Sequence, residues 1–147
     1  MYLEKKTYVK NWDHMKDEEK TEVTIKKGGK EMTQIRTERI SEITEEIAVW
    51  RKSNAIHKWF VDNVQEGEDD CKSYYVGKDQ LKELLNEVKL VLLDKDSADD
   101  ILPTQKGFFF GGNEYDDYYF EDMEYTKEIL EKVMNESEGD FYYSSSW

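Results

Sequence analysis

The stretch from Ile40 to Gln65, ISEITEEIAVWRKSNAIHKWFVDNVQ, limits what the chain can fold into more than any other segment. It is the longest run with helical spacing: Ile40, Ile43, Ile47, Trp50, Asn54, His57 and Val61 recur so as to share one face. Its second half is apolar most of the way round, with Val49, Ile56 and Phe60 opposite and Ala48, Ala55 and Trp59 between. A helix of that kind is normally buried, so the spacing predicts a central helix over residues 40–65. Asn54 and His57 then become polar groups on a core-facing stripe, where each must find a partner.

The remaining chain supplies strands and two further helices. Met1–Val9 is rich in β-formers, and Thr21–Ile25 and Glu31–Arg36 flank Gly28-Gly29 as the arms of a hairpin. The Gly28-Gly29-Lys30 run is not a phosphate loop, since it lacks the earlier glycine and the Ser/Thr after lysine. Cys71–Val76 reads as a short strand or extended connector, and Leu81, Leu84, Leu85, Val88, Val91 and Leu92 place a second helix over residues 78–94. Phe120, Met123, Ile129, Leu130, Val133 and Met134 mark a third over residues 117–135, and Asp140–Trp147 closes as a strand or aromatic tail. The expected architecture is α+β: an N-terminal β-hairpin or small antiparallel sheet packed with three helices around an aromatic-rich core. A single domain over residues 1–147 is expected, with 1–39 mainly β and 40–147 helical with aromatic connecting segments.

Charge narrows the classes of partner. The formal net charge is −13, and residues 110–147 hold 2 Lys/Arg against 11 Asp/Glu. Such a chain is a poor binder of nucleic acid or of an anionic membrane surface. No apolar run reaches the ~20 residues that span a bilayer. The single cysteine, Cys71, cannot close an intrachain disulfide and suits a reducing cytoplasm.

Chemistry-bearing residues concentrate in two places. On the central helix, Trp50, Arg51, Asn54 and His57 combine a large aromatic, a cation and two polar groups that could read a planar anionic ligand. In the loop Thr104–Gly112, Thr104, Lys106 and Gly107 offer a hydroxyl, a cation and a permissive backbone, and Trp147 could close over the same ligand. The bland alternatives are a hydrogen-bonded core histidine and a core strand through Phe108–Phe110. No metal-ligand spacing, no nucleophile motif and no cofactor signature is present, so no catalytic residue, metal or cofactor is assigned. Glu121, Asp122 and Glu124 on the third helix are possible acid–base partners for His57.

The segments VWRKSNAIHKWFVDNVQ, DDCKSYYVGKDQL, LPTQKGFFFGGNEYDDYYFEDM and FYYSSSW resemble those of an uncharacterised family of small proteins encoded by tailed phages and prophages, over about residues 48–147. The resemblance implies an accessory protein acting in the host cytoplasm, of a kind that counters host defences. Two functional readings stay open. In one, the protein sequesters a small anionic, nucleotide-like ligand in a pocket lined by aromatics and His57. In the other, it is an acidic interaction inhibitor or nucleic-acid mimic that occludes a basic host protein surface. A His57-dependent enzyme of unknown reaction is a third reading, with no motif behind it.

Overall fold

The computed structural model describes residues 1–107, 112–136 and 139–146. In chain order, β1 is Tyr2–Tyr8, and β2 (Lys26–Lys27) and β3 (Lys30–Glu31) form a small separate hairpin. Gly28 and Gly29 make its turn at φ of 58° and 79°, a pair of left-handed conformations that glycine adopts without steric cost. Next come β4 (Glu42–Val49), α1 (Asn54–Asn63), β5 (Tyr74–Val76), α2 (Lys78–Leu93), the short α3 (Ala98–Ile101), α4 (Asp117–Met134) and β6 (Asp140–Ser144).

The main sheet has the order β4-β1-β6-β5, with every neighbouring pair antiparallel. The sheet draws on both halves of the chain, since β4, β5 and β6 all follow residue 40. Helix α2 packs along α4, burying Leu81, Leu84, Leu85, Val88 and Val91 against Met123, Leu130 and Val133 in one continuous core. This is the amphipathic second helix that the leucine spacing predicts. The core is rich in aromatics: Phe60 stacks on Tyr143 with centroids 3.9 Å apart and planes 7° apart, and meets Trp59 edge-on at 5.3 Å. The chain is therefore α+β with an aromatic core, as its pattern predicts.

Two elements differ from expectation: the hairpin strands are confined to Lys26–Lys27 and Lys30–Glu31 beside the turn instead of Thr21–Ile25 and Glu31–Arg36, and the long central helix is replaced. The helix predicted over residues 40–65 is instead a strand, a turn and a shorter helix. Ile43, Thr44, Ile47 and Val49 are β-branched and favour extended backbone. Strand β1 offers them a ladder with matched charges: Lys6 pairs with Glu42 at 3.0 Å, and Lys5 lies 3.9 Å from Glu45. The spacing of Ile40, Ile43 and Ile47 imitates a helical stripe without forming one, and Ile43 is 39% exposed. Lys52, at φ 59°, then turns the chain out of the strand, and the helix begins only after Ser53.

These packing differences set the expected costs of truncation. Phe60→Ala, at a fully buried ring, should destabilise by about 3–5 kcal/mol, whereas Ile43→Ala on the edge strand should cost under ~1 kcal/mol. Urea unfolding of the two variants checks this, and comparable losses would restore Ile43 to the core.

Candidate functional site

The turn between β4 and α1 commits its residues in different directions. Trp50 points inward: its indole N–H donates to Thr126 Oγ1 at 2.9 Å, and its ring lies 5.9 Å from Phe60 and 6.3 Å from Tyr125. Arg51 and Lys52 are exposed. Asn54 is nearly buried and grips a distant loop: its Oδ1 accepts from the Gln105 N–H at 2.5 Å, and its Nδ2 donates to the Gln105 carbonyl at 2.7 Å. That pair of bonds imitates a backbone ladder and holds residues 104–107 against the start of α1. Thr104 is fixed in turn, with its hydroxyl donating to the Asn113 carbonyl at 3.1 Å and its N–H to Tyr115 Oη at 3.2 Å.

The clamped loop forms one wall of a cleft of about 400 Å³. Arg51 to Ala55, Thr104 and Gly112 line it together with an acidic wall of Glu114, Asp116, Tyr118, Tyr119, Glu121 and Asp122. Helix α4 starts at this wall because Asp116 caps it, its Oδ1 accepting from the Tyr119 N–H at 3.1 Å. The Tyr119 hydroxyl donates to the Leu102 carbonyl at 2.8 Å, and burial pushes its pKa well up. Tyr118 is 77% exposed at the rim.

The electrostatics of the cleft are unusual in one respect. Glu114, Asp116, Glu121 and Asp122 share it with Arg51 and Lys52, yet no ion pair among the described residues uses any of the six. Asp122 is half-buried, and burial raises its pKa above the usual carboxylate value. The Ser53 hydroxyl beside it opposes the rise, and the charges of Glu121 and Asp116 add to it. A half-buried carboxylate without a cation is in an unfavourable setting that a cationic group would relieve.

His57 lies elsewhere, on the core side of α1 and fully buried. Its Nε2 is 3.2 Å from Asp69 Oδ2, and its Nδ1 is 2.6 Å from Tyr143 Oη. A carboxylate only accepts, so in the neutral ring Nε2–H donates to Asp69 and Nδ1 accepts from the tyrosine hydroxyl. Ser145 Oγ donates to the other Asp69 oxygen at 3.4 Å. The histidine partner is thus the loop carboxylate Asp69. Glu121 and Asp122, considered for this role from the sequence, line the cleft instead.

Of the residues singled out from the sequence, Arg51, Asn54 and Thr104 come together at the cleft. Trp50 and His57 are committed to the core, Lys106 and Gly107 are exposed beyond the cleft lining, and Trp147 and Phe108–Phe110 lie outside the described residues. Sequence reasoning missed Ser53 and Tyr118; Lys52, a cation beside Arg51 that the sequence also offers, lines the cleft as well. The spacing of Tyr118, Glu121, Asp122 and Tyr125 along one face of α4 was the signal available for the acidic wall. Among the described residues no group of three or more His, Cys, Asp or Glu is placed to hold a metal ion, and no helix is long and apolar enough to cross a membrane. No protein-family model, curated protein or solved structure matches the chain, so the phage-family resemblance rests on the quoted segments alone.

The buried histidine sets a pH dependence. Burial lowers the His57 pKa below its ordinary value of 6.5, and Asp69 opposes the shift. A base with a depressed folded pKa binds fewer protons in the folded state, so stability rises with pH across the interval between the folded and unfolded values. The contribution of His57 is complete above pH ~6.5 and is lost as pH falls from there through the folded pKa. The melting temperature of the wild type should therefore drop more between about pH 7.5 and about pH 5 than that of His57→Gln, whose side chain does not titrate. Parallel pH profiles would assign the effect to other groups.

Proposed function

We propose that the chain is a binding protein that docks a cationic group of a partner protein in the cleft between α1 and α4. The observation that carries this reading is the set of four carboxylates there, including half-buried Asp122, with no ion pair to a lysine or arginine among the described residues. Tyr118 at the rim supplies an exposed ring that can lie against a lysine stem or a guanidinium plane. The acidity of residues 110–147 adds long-range attraction for a basic surface. The phage-family resemblance supports a setting by analogy, in which an accessory protein occludes a basic surface of a host protein.

A small anionic, nucleotide-like ligand is the second reading. It is favoured by Arg51, Lys52, Asn54 and Thr104 lining the same cleft, and opposed by the four carboxylates facing them. Its aromatic partner would be Tyr118 rather than Trp50, whose ring is enclosed by Phe60 and Tyr125.

Binding of an oligolysine peptide separates a site from overall acidity. Glu121→Gln with Asp122→Asn should weaken binding by about ten-fold or more and flatten its salt dependence. Glu18→Gln with Glu38→Gln, an equal change of charge on exposed residues away from the cleft, should leave it nearly intact. Equal losses in both pairs would mean that only net charge is at work.

A further inference from the structure

The cleft carries a second pole that a cationic group alone leaves unused. Ser53 stands at the N-cap position of α1, but its side chain makes no cap. Among the described residues, the first N–H of this helix with an acceptor is that of His57, bonded to the Ser53 carbonyl at 3.0 Å. The N–H groups of Asn54 and Ala55 are thus left at a helix end that lines the cleft, on residues only 6% and 2% exposed. Buried helix ends ordinarily find partners for these groups.

The Ser53 hydroxyl points to the same need. The residue is 1% exposed and lines the cleft, and its Oγ makes no hydrogen bond of good geometry to a described residue. The Asp122 carboxylate lies beside it, close enough for the hydroxyl to lower the carboxyl pKa. Arg51 and Lys52 flank this end, and Lys52 is held in a left-handed conformation at φ 59°, which a non-glycine residue adopts only when its surroundings impose it. Free helix N–H groups, a buried hydroxyl and two cations make a receptor for a full negative charge.

We infer that the cleft receives the C-terminal residue of the partner chain, a lysine or arginine that still bears its free carboxylate. This inference rests on the cationic docking reading and narrows it. The carboxylate lies at the N-terminus of α1 with Ser53, Arg51 and Lys52, and the side-chain cation of the same residue faces Glu121 and Asp122. An internal basic segment would present only neutral peptide carbonyls to the positive pole. A phosphate or other bare anion would bring its charge against Asp122 and the neighbouring carboxylates. A terminal basic residue satisfies both poles at once, and terminal carboxylates are bound elsewhere by convergent backbone N–H groups. A volume of about 400 Å³ is at the small end for ligand pockets and suits one residue rather than a long segment.

Calorimetric titration of the full chain with three probes tests this: the peptide Gly-Ser-Gly-Lys with a free carboxylate, its C-terminal amide, and free lysine. The carboxylate peptide should bind at least about ten-fold more tightly than the amide, the scale of a lost charge-assisted hydrogen bond. That advantage should vanish in Arg51→Ala with Lys52→Ala. Both peptides should weaken in Asp122→Asn and in Glu121→Gln, the second variant altering an exposed side chain that folding does not depend on. Equal binding of acid and amide, with both weakened by these variants, would overturn the terminal carboxylate and leave cationic docking standing. Binding that Glu121 and Asp122 variants leave unchanged, or no binding of either peptide, would overturn both. Free lysine binding as tightly as the carboxylate peptide would overturn a protein terminus in favour of a small amphoteric molecule.

Discussion

The reversal at Arg51-Lys52-Ser53 is the constraint on which the rest of the structure depends. Strand β4 must end where its pairing with β1 ends, at Val49 opposite Tyr2. Within four residues the chain then starts α1 in a new direction, and Lys52 takes a positive φ to do so. A non-glycine residue in that region costs of order 1 kcal/mol, so the neighbouring contacts must over-determine it. They do: Trp50 is anchored to Thr126 on α4 just before the turn, and Asn54 to Gln105 just after it. The turn is thus held from both sides by elements far along the chain. Those same two anchors bring α4 and the 104–107 loop together over the N-terminus of α1, and the cleft follows.

One turn further along α1, on its core side, polar burial is made tolerable by completeness. His57 and Tyr143 are both 0% exposed, and each polar atom of that pair has a partner. An isolated buried imidazole would cost free energy, but here the hydroxyl, the ring and Asp69 form a continuous chain that crosses from β6 through α1 to the loop after it. Phe60 stacks on the same tyrosine ring. The apolar stack supplies most of the burial, while the hydrogen bonds fix which face of α1 meets β6. This arrangement contrasts with the cleft, where the polar groups are not mutually satisfied. The polar groups on the buried side of α1 are mutually paired, whereas those at its cleft end are not.

How much of this was legible in the sequence follows from the range of the interactions. The turn at Gly28-Gly29 and helix α2 are set by neighbours two to four residues apart, so local spacing revealed them, although the hairpin strands are Lys26–Lys27 and Lys30–Glu31 rather than the longer runs Thr21–Ile25 and Glu31–Arg36. Strand β4 is set by β1, some forty residues earlier, and the helical spacing of its isoleucines could not reveal that Lys5 and Lys6 would lie opposite Glu45 and Thr44. The site shows the same division. Arg51, Asn54 and Thr104 were recognisable from residue type, but the Asn54–Gln105 clamp spans 51 residues and has no local signature. Asp69 is only 12 residues from His57, yet its run Glu66-Gly67-Glu68-Asp69-Asp70 has the composition of a solvated acidic loop. Burial of a polar residue could be inferred from its stripe; its partner could not.

The charge of the chain and the charge of the cleft do different work. At physiological salt, charges more than ~8 Å apart on an exposed surface are largely screened, so the net −13 acts on encounter more than on the bound state. Selectivity must come from groups that stay unscreened once water is displaced, and at Asp122 burial is the first cause of an upward-shifted pKa. A cation entering there gives up hydration, which a guanidinium, being less tightly hydrated than an ammonium, does at lower cost. It regains that loss only if the carboxylates are already in place and unpaired. Had Arg51 or Lys52 closed an ion pair across the cleft, that pair would have to break first. Keeping opposite charges in one cleft but apart leaves the site pre-organised for an occupant that carries both signs.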